Sequence, residues 1–100
     1  MREMLDEKLA RFEELEAMMS DPEVLSDAGK MAGVAREHGA LGKIATKYRN
    51  FRNLNDQILE TREFLEGKDA EMRELAEMEM PALKEDREKV WNEILELTIG

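Results

Sequence analysis

One hundred residues support one domain at most, and 39% charged against 5% aromatic side chains leaves too little aromatic bulk for a thick globular core. The 42% apolar residues suffice for thin seams between helices, while a net charge of −9 repels phosphate and makes the chain as a whole a poor free binder of nucleic acid, with no DNA partner expected. No cysteine is present, no apolar run approaches the roughly 20 residues that span a bilayer, and Met1-Arg2-Glu3-Met4-Leu5-Asp6 has acids where a signal peptide needs an apolar stretch; a cytoplasmic location with no membrane partner is expected.

Leu5, Leu9, Phe12, Leu15 and Met19 recur at spacings of three and four, with Lys8, Arg11, Glu13 and Glu14 between them. This predicts an amphipathic helix over 2–19. It must end before Pro22, which disfavours helical geometry at Asp21. Asp21 and Pro22 then suit the N-cap and first position of a short turn over 21–25, whose Val24 and Leu25 are expected to tuck beneath the bundle.

Ser26-Asp27 offers a further N-cap. Met31, Val34, Leu41, Ile44, Tyr48, Phe51, Ile58 and Leu65 follow, with Leu54 and Thr61 beside them and Asn55 interrupting the stripe. They predict one long helix over 27–66, about 60 Å at 1.5 Å per residue. Gly39 and Gly42 weaken it by about 1 kcal/mol each relative to alanine, so a bend or frayed half-turn is expected there. Gly67 ends it as a C-cap.

Asp69 caps a third helix, expected over 69–98, with Glu71 and Glu74 favourably near its positive end. Its stripe is Met72, Leu75, Ala76, Met80, Leu83, Val90, Ile94 and Leu97. Pro81 lies inside and predicts a kink near Glu77 to Met80, or a restart at Pro81. Short connections make the three helices antiparallel neighbours. The predicted class is all-α, a single-domain three-helix bundle or helical hairpin with a long central helix and coiled-coil-like packing.

Charge is unevenly placed. Residues 1–27 carry three basic and nine acidic side chains, residues 28–55 six and one, and residues 56–100 six and fourteen. Lys43, Lys47, Arg49 and Arg52 occupy an acid-free stretch that also holds Tyr48 and Phe51. Basic and aromatic residues so interleaved are a candidate RNA-contacting patch. The competing reading is neutralisation of the acidic helices alongside. Trp91, next to the stripe residue Val90, is either a seam plug or a partner contact.

No pattern calls for catalysis, a metal or another cofactor. His38 is the only histidine, with no cysteine to join it in a metal site and Ala35 where a Glu-x-x-His pair needs glutamate. It is read as a helix-surface or seam residue. Carboxylates on solvated helix faces lack the apolar pocket that makes a general acid. Gly39-Ala40-Leu41-Gly42-Lys43 is too short for a phosphate-binding loop and has no adjoining strand. The eight methionines are read as fillers of irregular seams.

Taken in order, Lys8-Leu9-x-x-Phe12-Glu13-Glu14-Leu15-Glu16, Ser20-Asp21-Pro22-Glu23-Val24, Lys47-Tyr48-Arg49 and Glu71-Met72-Arg73-Glu74-Leu75-Ala76 resemble the leading domain of bacterial class I peptide chain release factors, the factor 1 branch more than factor 2. The likeness covers nearly the whole chain. That family's peptide-release loop Gly-Gly-Gln, its codon-reading Pro-x-Thr and its Gly-Thr-Gly-Gly stretch do not occur here. The resemblance therefore implies a leading domain without the downstream domains, and it carries no catalytic residue onto this sequence. It implies a parent factor that directs peptide release at UAA and UAG on the ribosome. The partner implied for this domain is the stalk base of the large subunit and its GTPase-associated region. From the residues alone, a coiled-coil adaptor that dimerises through the uncovered part of its long helix remains the alternative.

Overall fold

A computed structural model describes residues 1–99 of the chain. The fold is all-α. It comprises α1 (Arg2–Met18), α2 (Pro22–Leu25), α3 (Ala28–Glu66) and α4 (Ala70–Ile99). The chain forms two compact units, Met1–Thr46 and a second beginning at Lys47. The 39-residue α3 contributes its first half to one and its second half to the other. Among the described residues no helix is long and apolar enough to cross a membrane.

In the first unit, α1 buries Leu5, Leu9, Phe12 and Leu15, the three- and four-residue spacing that places them on one face. Leu15 joins Val24 and Val34 in an apolar cluster, with Met18, Met19, Met31 and Leu41 packed against it. The methionines fill the edges of this seam, as flexible thioether side chains do. The Asp21 carboxylate accepts from the Glu23 N–H at 2.9 Å, and Pro22 takes the first helical position, so α2 starts without an orphaned donor. Val24 turns inward, but Leu25 is 57% exposed. One turn has room for only one inward residue, so the expected burial of both does not occur. Asp27 accepts from the Lys30 N–H at 3.1 Å and starts α3.

No break follows at Gly39 or Gly42, because α3 runs uninterrupted. A Cβ built at Gly39 meets nothing within 4 Å, whereas one at Gly42 would rest 3.6 Å from the Phe12 ring. Gly39 therefore costs helix propensity without serving a close approach. Gly39→Ala is expected to stabilise the protein by about 1 kcal/mol. Urea denaturation read by circular dichroism measures this, and a loss of stability would reveal a need for glycine at that position.

The second unit is a helical hairpin. Tyr48, Phe51, Leu54, Ile58 and Thr61 of α3 are buried, as are Ala76, Met80, Val90 and Ile94 of α4. Lys47 pairs with Glu93, Phe51 with Trp91, and Asn55 with Arg87. Numbers rise along one helix as they fall along the other, so the pairing is antiparallel. Asn55, the polar interruption in the stripe, is satisfied across the seam: its Oδ1 accepts from the Arg87 guanidinium at 3.2 Å.

The turn between these helices is short. The Gly67 N–H donates to the Phe64 carbonyl and the Gly67 carbonyl accepts from Arg73 at 3.0 Å. Gly67 does not adopt the left-handed geometry expected of a C-cap glycine, since no glycine among the described residues has positive φ. What favours glycine here is space, because a Cβ would sit 3.3 Å from the Glu63 carbonyl oxygen. Asp69 accepts from the N–H groups of Glu71 and Met72 and opens α4. The helix continues through Pro81 rather than restarting there. Proline lacks the N–H that would bond the Glu77 carbonyl, but both residues are exposed, so solvent can serve that oxygen. Leu75, placed on the α4 stripe by its spacing, is 45% exposed.

Candidate functional site

The charge pattern singles out the middle of α3. Lys43, in the first unit, is exposed. In the second unit the hairpin brings Lys47, Phe51, Trp91 and Glu93 together. The Lys47 ammonium donates to Glu93 Oε2 at 2.6 Å. That hydrogen bond, reinforced by the Lys47 charge and by the more distant Lys89, holds the Glu93 carboxyl below the ordinary glutamate value despite partial desolvation. Trp91 is half-buried and lies tilted on Phe51, with ring centroids 4.9 Å apart. Phe51 in turn stacks on the fully buried Tyr48 at 6.1 Å. The three rings form a ladder along the seam, and the indole edge closes it. Arg49 is half-buried and Arg52 exposed, and each has an interaction partner within the protein.

The first unit holds a charge pair that spacing alone did not reveal. Arg11 grips Glu37 with both arms, Nε to Oε2 at 2.5 Å and Nη2 to Oε1 at 2.7 Å. It also meets Glu14, one turn along, at 3.1 Å. These hydrogen bonds keep Arg11 still more firmly protonated and depress Glu37 below the usual carboxylate range, against a smaller opposing effect of desolvation. Beside the pair, Phe12 stacks on His38 with centroids 4.2 Å apart and planes 17° from parallel. His38 is a seam residue; its Nε2 is buried without a hydrogen-bond partner among the described residues. A signal for the ion pair did exist. Glu37 is the one acid in the basic stretch 28–55, and Arg11 is among only three bases in residues 1–27.

The Thr46, Thr98 and Ser26 hydroxyls donate to backbone carbonyls of their own helices. Among the described residues no group of three or more His, Asp or Glu side chains is placed to hold a metal.

The PCRF domain family model matches residues 8–99. The chain belongs to the PCRF domain family. Its relatives include the peptide chain release factor 1 of Syntrophomonas wolfei subsp. wolfei, 36% identical over 95 residues, covering 94% of this chain and 27% of the relative. Those of Pelobacter propionicus and Geotalea uraniireducens are 35% and 37% identical over 94 residues, covering 94% of this chain and 26% of each relative. The chain thus spans about a quarter of the length of the curated relatives it matches. No solved structure matches.

The matched span of this PCRF domain includes the Arg11–Glu37 and Lys47–Glu93 pairs, and they give it a defined acid response. Glu37 and Glu93 have folded pKa values below their unfolded ones. Their contribution to stability is therefore full above the ordinary glutamate value and disappears as pH falls through the depressed folded values. Melting temperature should drop in that window, and Arg11→Gln should remove the Glu37 share while leaving that of Glu93. Carboxyl titration by NMR checks the residues directly: Glu37 should return to the ordinary value in Arg11→Gln, and an unmoved Glu37 would disprove the assignment.

Proposed function

We propose that this chain is the leading helical domain of a translation termination factor, one that directs peptide release on the ribosome at UAA and UAG codons. The observation that carries this reading is the family match across residues 8–99 together with relatives named peptide chain release factor 1. In this reading the 1–100 segment acts as one non-catalytic docking domain and works in the cytoplasm. It reaches toward the stalk base of the large subunit and its GTPase-associated region, while codon reading and ester hydrolysis belong to other domains of the factor. The paired and stacked surfaces support a role in contact, since they offer rigid geometry and no activated nucleophile.

The experiment is a chimera in which this chain replaces the corresponding segment of a peptide chain release factor 1. Release of a model peptide is followed in a reconstituted system at UAA, UAG and UGA. Release at the first two and not the third is expected, with cryo-EM density for the graft at the stalk base. A folded chimera whose graft lies elsewhere on the ribosome would overturn the docking assignment.

Among the basic residues, exposed Lys43 is the better candidate for contact with ribosomal RNA, since Arg49 and Arg52 each have a partner within the protein. Lys47 and Trp91 are engaged in the α3–α4 seam, which favours neutralisation and packing as their role. Lys43→Glu should weaken ribosome binding of the chimera with no change in melting temperature. Lys47→Glu with Arg49→Glu should lower the melting temperature, because the first places a second carboxylate against Glu93. Unchanged ribosome binding in Lys43→Glu would leave no RNA role for that lysine.

A second reading, a self-associating helical adaptor, draws on Leu59, Leu75 and Met78, which are 56%, 45% and 73% exposed. Sedimentation equilibrium separates the two, since a strict monomer at high concentration excludes the adaptor.

A further inference from the structure

In the second unit an open groove of about 350 Å³ lies between the C-terminal part of α3 and the first half of α4. Thr61 and Phe64 line it from α3, and Met72, Leu75, Ala76 and Leu83 from α4. Phe64 and Leu75 are 38% and 45% exposed, so the floor leaves large apolar side chains in water. Glu60, Glu79 and Asp86 stand along it, and no lysine, arginine or histidine is among the lining residues. From Met72 to Asp86 the lining follows α4 for about 21 Å at 1.5 Å per residue. The α3 wall, Gln57 to Phe64, accompanies it for about 10 Å, so the two-walled stretch is about two turns long, open to solvent and able to receive one face of another helix.

We propose that this groove docks a basic amphipathic helix from another protein. Apolar side chains one turn apart on that helix would cover Phe64 and Leu75, while lysines or arginines on its flanks meet Glu60, Glu79 and Asp86. The charge argues against two other occupants. Residues 56–100 carry fourteen acids and six bases, so a second copy packing the same groove face to face would set carboxylates against carboxylates, and the basic stretch 28–55 of a copy already buries Val34, Ala45, Tyr48, Phe51 and Leu54 in its own fold. RNA would be repelled in the same way. The proposal rests on the groove alone and does not require the termination reading.

The test uses the whole chain labelled with ¹⁵N and three synthetic peptides of about 18 residues, the length of a groove-filling helix. One has leucines at helical spacing flanked by lysines, one has glutamates in place of those lysines, and one is the lysine peptide scrambled to destroy its apolar face. The first should bind, shift the amides of Thr61, Phe64, Leu75 and Leu83, and weaken as salt rises. The other two should not. Glu79→Lys with Asp86→Lys should weaken binding about ten-fold, and Leu75→Ser should do the same at constant charge. All three sites are exposed, so the variants should fold, and unchanged melting temperatures verify it. Equal binding by the acidic or scrambled peptide, shifts confined to another surface, absence of binding, or self-association through these residues would each overturn the proposal.

Discussion

Phe12→Ala should destabilise the protein by about 3–5 kcal/mol, the usual cost of removing a buried aromatic side chain. The upper part of that range is expected for a local reason. Phe12 is 3% exposed, stacks on His38, and stands over Gly42, where α3 offers no side chain to collapse into the space left behind. A void lined by glycine backbone and an imidazole face stays open, and the cavity penalty adds to the lost transfer energy. Against a total of about 5–15 kcal/mol for an ordinary domain, this is a large fraction. Urea denaturation gives the magnitude, and native-state hydrogen exchange gives the location: amides of α1 and the first half of α3 should lose protection most. A change under about 1 kcal/mol would mean the ring is not packed as described.

Ile94→Ala should cost about 2–5 kcal/mol in the second unit. Ile94 is 0% exposed, and it follows Val90 by one turn on the buried face of α4. Truncation removes three carbons from a seam only one side chain thick, so few neighbours are available to relax inward. Trp91 reports the event, because its indole rests on Phe51 and its emission should shift as the hairpin opens. Exchange protection should fall along α4 and the second half of α3. Each unit has its own buried residues, and the two substitutions should accordingly leave different exchange footprints. Identical footprints would show instead that the 39-residue α3 makes the chain unfold as one body.

Much of the fold is legible in the spacing of apolar residues. Leu5, Leu9, Phe12 and Leu15 declare a helix face and are all buried, as are Tyr48, Phe51, Leu54 and Ile58. The caps are equally readable, because Asp21, Asp27 and Asp69 act within two or three residues of themselves. Spacing fails where burial depends on what lies opposite. Leu75 sits on the α4 stripe and Leu25 in the short turn expected to tuck under, yet both remain exposed, since spacing fixes direction and not the extent of cover. The Gly39–Gly42 region shows the converse: propensity weakens α3 there, and the neighbouring turns carry the helix through. Of the candidate contact residues, the basic cluster is visible as composition, but the engagement of Lys47 by Glu93 is not. That pair lies 46 residues apart, and Arg11 with Glu37 lies 26 apart. Such pairs exist only once the helices have chosen their register.

The Asn55–Arg87 bond belongs to the same register as the Lys47–Glu93 and Phe51–Trp91 pairs. Sliding α4 along α3 by two turns would bring Arg87 to the place of Met80 and part Lys47 from Glu93, Phe51 from Trp91 and Asn55 from Arg87. The last of these leaves a half-buried amide without its partner, at about 0.5–1.5 kcal/mol for the lost bond. The ionic, aromatic and amide pairs together hold the hairpin in one alignment. A molecule that grips the acid-edged trough beside them would therefore meet two rods whose spacing is set before it arrives.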